Sequence, residues 1–94
     1  MNKYIGKHCV VRTYSAGVHI GEVVSQHGTE VEMKNARRLW SWSGAFTLSE
    51  VANDGIESNS SRMSRETDIF LTEAIELIPT TEKARATFEA CRES

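Results

Sequence analysis

The densest chemistry in this sequence is the stretch Asn35-Ala36-Arg37-Arg38-Leu39-Trp40-Ser41-Trp42. Arginine presents planar donors that match phosphate oxygens, and an indole offers a flat face on which a base can stack. Together they suit a nucleotide better than a sugar or a lipid. If the segment is extended, alternation puts Arg38, Trp40 and Trp42 on one face and Arg37, Leu39 and Ser41 on the other. A second reading stays open on the same residues, in which one or both indoles are core residues and the arginines pair with Glu30 or Glu32. A second candidate is Arg12-Thr13-Tyr14-Ser15-Ala16-Gly17. Its small residues would let a ligand approach backbone donors, or would simply make a turn. The third is the polar stretch 57–64, which has too few apolar groups to define a buried face and reads as a mobile, lid-like loop. Arg62, with Arg65 just beyond the stretch, could close over a phosphate there or stay solvated.

Catalytic patterns are sparse. The chain carries no phosphate-cradling glycine loop, no paired-cysteine zinc signature and no His-Glu-x-x-His. His8, His19 and His27 fall on expected strands and a turn, so a metal site would need chance convergence. Cys9 and His8 are adjacent, and neighbours on a strand point to opposite faces rather than forming a nucleophile and base. Asp54, Glu73 and Glu76 show no pairing that marks a general acid or base. The expectation is therefore a binding protein without catalysis, metal or cofactor.

These residues need a scaffold, and 94 residues allow one domain with one modest core. With 39% apolar and 26% charged residues and a single proline the chain is of ordinary globular composition. A core this thin often gains stability by association, and a homo-oligomer is expected. The net charge of −2 argues against grip on an extended polyanion, which would need a broad basic surface to displace counterions. Cys9 in an apolar run and Cys91 near a C-terminus expected to fray read as free, buried thiols rather than a disulfide. The segment Met1-Asn2-Lys3-Tyr4 does not resemble a signal peptide, and no run approaches the roughly 20 residues of a membrane span. A cytoplasmic protein is expected.

The elements follow from pattern. The β-branched run 7–13 is a strand that breaks at 14–17, and 18–26 is a second with Gly21 as a bulge. After His27-Gly28, residues 29–34 resume with Val31 and Met33 inward, and the chain bends at Asn35 into a further strand through Trp42. Thr47-Leu48-Ser49-Glu50 has the form of a capping box for a short helix closed by Gly55. Residues 67–78 carry Ile69, Leu71, Ile75 and Leu77 at even spacing and read as one long strand ended by Pro79. From Thr80 a terminal helix follows, with Ala84, Phe88 and Cys91 on one face. The fold class is mainly β, an antiparallel Greek-key or barrel-like sheet with one short helix and a C-terminal helix.

Four motifs in order carry a resemblance: Val11-Arg12-Thr13-Tyr14-Ser15-Ala16-Gly17-Val18, then Asn35 through Trp42, then Gly44-Ala45 with Leu48-Ser49, and Glu73-Ala74-Ile75-Glu76-Leu77-Ile78-Pro79. Over about residues 10–80 the chain resembles a family of small phage proteins. That family is similar to the Thoeris anti-defence sponge proteins, which sequester cyclic ADP-ribose isomers, and in some members cyclic oligonucleotides, to block bacterial immunity. The resemblance implies a Greek-key β core and a homo-oligomer with pockets where protomers meet, in the host cell cytoplasm. It further implies Arg12, Tyr14 and Arg38 as phosphate or ribose contacts, Trp40 or Trp42 for adenine stacking and Asn35 for a polar contact. Two other readings stay in play: a phage accessory module that binds a protein or nucleic acid through the Arg and Trp residues, and, last, a small nucleotide hydrolase.

Overall fold

The computed structural model describes residues 3–93. Six antiparallel strands form one sheet: β1 (His8–Thr13), β2 (Val18–His27), β3 (Glu30–Ser41), β4 (Arg62–Met63), β5 (Thr67–Leu71) and β6 (Ala74–Pro79). Two helices, α1 (Leu48–Asp54) and α2 (Glu82–Ala90), lie between β3 and β4 and after β6. The path runs β4-β3-β2-β1-β6, and β3 shares its outer edge between β4 near Leu39 and β5 from Val31 to Ala36. β5 and β6 thus lie on opposite sides of the sheet, four strand spacings or roughly 19 Å apart if it were flat. Only Thr72 and Glu73 join them, a link that spans at most about 11 Å. The sheet must curl, as the barrel-like reading requires.

Curling gives two apolar layers. One lies between the sheet and the helices, where Val10, Ile20, Leu39 and Met63 meet Val51, Ala52, Ile56, Ala84 and Phe88. The other fills the curl with Cys9, Val11, Val23, Val31, Met33, Ala36 and Leu71. Alternation along β1 explains the division, since Val10 faces one layer and Cys9 and Val11 the other. On β3 the face changes at Asn35, whose φ of 52° places it in the left-handed region. Val31 and Met33 enter the curl before it, and Leu39 reaches the helix layer after it. Gly21 sits opposite this bend at a register shift, and a Cβ there would come within 2.7 Å of Ala36 Cα.

The helix ends follow their capping residues. Thr47 Oγ1 accepts from Glu50 N and Thr81 Oγ1 from Ala84 N, while Gly55, at φ 88°, closes α1. Ala84, Phe88 and Cys91 are all buried on one side of α2, and both cysteines are free.

Three expectations need correction. Residues 67–78 form two strands rather than one, because the chain is held at the break from outside. Ala74 N donates to Thr29 O, Thr29 Oγ1 donates to Thr72 O and Tyr14 N donates to Glu73 O. The stretch 57–64 is not a loose loop. Ser58 Oγ donates to Thr87 O, Ser61 Oγ accepts from Ser43 N, and Arg62 and Met63 pair with β3. Cys91 does not lie in a frayed end; it is 4% exposed, and its thiol faces Ser61 O.

Candidate functional site

The paired arginines have opposite fates, as strand alternation requires. Arg37 turns to the helix side, where its guanidinium donates to Ser64 O, Phe88 O and Cys91 O at 2.6–2.7 Å. Three charge-assisted bonds, one to Ser64 O just after β4 and two to Phe88 O and Cys91 O at the end of α2, make it a structural latch between those segments; Phe88 O also accepts from Cys91 N. Arg38 turns the other way, is exposed, and has no carboxylate within 4.0 Å among the described residues. Beneath it in register on β2 is His19, 2% exposed, with Nε2 bonded to Ala16 O at 3.0 Å. Burial first, and then Arg38, hold His19 below its ordinary pKa despite that bond, so the ring stays neutral beside the guanidinium.

Two residues on, on the same face as Arg38, Trp40 is 53% exposed. The Arg62 guanidinium lies 5.5 Å from the centre of its ring, placed there by the pairing of Arg62 with Ser41. This is cation–π geometry, and it leaves much of the indole surface open. Arg62 also lines a cleft of about 390 Å³ with Ser58, Asn59, Ser60, Ser61, Ala90 and Arg92. Neither Arg62 nor Arg92 has a carboxylate within 4.0 Å among the described residues. Arg38, Trp40 and Arg62 thus form one exposed group of aromatic and cationic side chains.

The other candidates lie elsewhere. Trp42 does not share the face of Arg38 and Trp40. A register shift between Leu39 and Ser41 ends the alternation, and the indole packs on the helix-side core. It lines a second cleft of about 450 Å³ with Arg12, Val18, Phe46, Leu48 and Glu76. There Arg12 Nε is 3.4 Å from Glu76 Oε1, so its charge is compensated, whereas Phe46 is 96% exposed. Tyr14 stands 79% exposed on the β1–β2 turn, outside the residues lining either cleft. Asn35 borders a third cleft of about 560 Å³ beside His8, Arg37 and Arg85. Its backbone N donates to Asp68 Oδ1, and its left-handed φ gives it a structural task. The Glu30 and Glu32 pairing does not form; Glu32 accepts from Ser25 Oγ instead.

Residues 6–88 match the model of one family, DUF6948, described as a domain of unknown function. The chain belongs to this family. No curated protein and no solved structure matches it. The DUF6948 region runs from just before β1 into α2, so it contains Arg38, Trp40 and Arg62 together with the latch residue Arg37, whereas Arg92 lies beyond it. Sequence reasoning passed over Ser58, Ser60, Ser61 and Arg92. Each is unremarkable alone, and the cleft exists only because β4 and the end of α2 meet. Among the described residues no helix is long and apolar enough to cross a membrane.

Proposed function

We propose that this DUF6948 protein binds a small anionic nucleotide and sequesters it without turnover. The observation that carries this reading is the exposed Trp40 ring with the Arg62 guanidinium 5.5 Å from its centre and Arg38 on the same face. Base stacking on an aromatic side chain contributes about 1–3 kcal/mol, and unpaired arginines supply the charge that phosphates need. A chain with net charge −2 and a local cationic patch favours a compact anion over a long polyanion.

A cyclic nucleotide immune signal, a cyclic ADP-ribose isomer or a cyclic oligonucleotide, is the ligand class to which the resemblance to Thoeris sponge proteins leads. In that setting the protein works in the host cytoplasm as an anti-defence sponge, limited by affinity and abundance. The proposal includes a homo-oligomer with ligand pockets at protomer contacts, which the small core and the 96% exposed Phe46 favour. Calorimetric titration with cyclic ADP-ribose isomers and cyclic di- and trinucleotides tests the reading. Saturable heat with one of them is expected, and no heat with any of them rejects it.

A further inference from the structure

We infer that the cleft between the 58–61 segment and the end of α2 is a phosphate-binding subsite. Its lining contains two arginines, Arg62 and Arg92, and no carboxylate, in a chain where acidic residues outnumber basic ones by two. Cations lining a cleft without acids attract an anion, and guanidinium groups match phosphate oxygens in geometry as well as charge. Neutral donors are present too. Ser60 Oγ and Ser43 Oγ share one hydrogen bond at 2.7 Å, so one of the two hydroxyls keeps its proton for a ligand. Ser61 Oγ accepts from Ser43 N, which leaves its own O–H to donate.

The end of a helix ordinarily repels anions through its free carbonyls. Here Arg37 occupies the carbonyls of Phe88 and Cys91, so that part of the opposing potential is compensated. Arg62 links the cleft to the Trp40 ring. A ligand with its base at Trp40 and a phosphate at Arg62 and Arg92 would engage both, which orients a nucleotide on this surface. The orientation rests on the nucleotide reading, whereas the phosphate subsite itself does not.

The test uses the full chain and three probes: adenosine, inorganic pyrophosphate and ADP-ribose, followed by calorimetry and by amide NMR shifts. Pyrophosphate is expected to shift the amides of residues 58–62 and 92. Arg92→Ala is expected to weaken pyrophosphate and ADP-ribose at least tenfold while leaving adenosine unchanged. Arg92→Lys should recover part of the loss. Trp40→Ala should reverse the pattern, weakening adenosine and sparing pyrophosphate. Pyrophosphate binding with no adenosine or ADP-ribose binding would support the subsite and count against the nucleotide reading. ADP-ribose binding that is unchanged by Arg92→Ala, with no pyrophosphate shifts at 58–62, would overturn the subsite and leave the nucleotide reading standing.

Discussion

At the scale of single residues, the two neighbouring arginines separate the proposed site from the structural latch. Arg37 holds three carbonyls, so Arg37→Ala removes three charge-assisted bonds at a half-buried site, with Phe88 O keeping only its bond from Cys91 N, and should destabilise the fold by about 2–4 kcal/mol. Urea unfolding measures this, and Lys, with a single ammonium, should not restore it. Trp40→Ala is the converse. The ring is 53% exposed, so the unfolding midpoint should barely move, while nucleotide affinity should fall at least tenfold by titration. The sequence made the Arg and Trp stretch visible through residue types, and alternation alone separated Arg37 from Arg38. It could not place Trp42, because the register shift after Leu39 depends on β4, a distant two-residue strand.

Half-buried His8 and buried His19 add a pH dependence. His8 stacks on Phe88, and burial, reinforced by Arg85 and opposed by Glu22, lowers its pKa from 6.5 to about 4; His19 is lowered as well. The unfolded chain therefore binds more protons than the native one between those values. Stability should be highest above about pH 6.5, fall as the pH drops toward 4, and level off below that. Unfolding midpoints at pH 7.5 and 4.5 measure the fall, and His8→Gln should reduce it.

At the scale of elements, the bend in β3 decides which face carries the site. Asn35 sits at φ 52°, and the facing Gly21 leaves room for Ala36. Asn35→Gly should be tolerated, while Asn35→Val should cost about 1–2 kcal/mol through its left-handed backbone. Gly21→Ala should cost about 1–3 kcal/mol, since the 2.7 Å approach involves backbone and cannot be relieved by rotating a side chain. Melting temperatures of the three variants check this. The bend was legible because Asn interrupts an alternating pattern, and the helix starts were legible from the Thr47 capping box and, to within two residues, from the Thr80 start after Pro79, where the structure puts the cap at Thr81. The break at Thr72-Glu73 was not, since apolar residues keep even spacing across it from Ile69 to Leu77. Its cause lies in bonds from Thr29 and Tyr14, far away in the chain. The 58–61 segment was misread for the same reason: its serines look solvated in sequence and are tied to Ser43 and Thr87 in space.

For the whole molecule, curling gives 94 residues two thin apolar layers, and Arg38, Trp40 and Arg62 are exposed outside both. Arg38 and Arg62 supply cationic donors and Trp40 a stacking face, as the proposed capture of a nucleotide requires. The central claim of the proposal is reversible sequestration. The measurement that tests it most directly mixes the purified protein with a panel of cyclic ADP-ribose isomers and cyclic di- and trinucleotides. It quantifies the free nucleotide, then heats the sample to denature the protein and quantifies again. The account predicts that one nucleotide is depleted before heating and returns chemically intact afterwards. A nucleotide that returns altered, or a panel from which nothing is depleted, would contradict it.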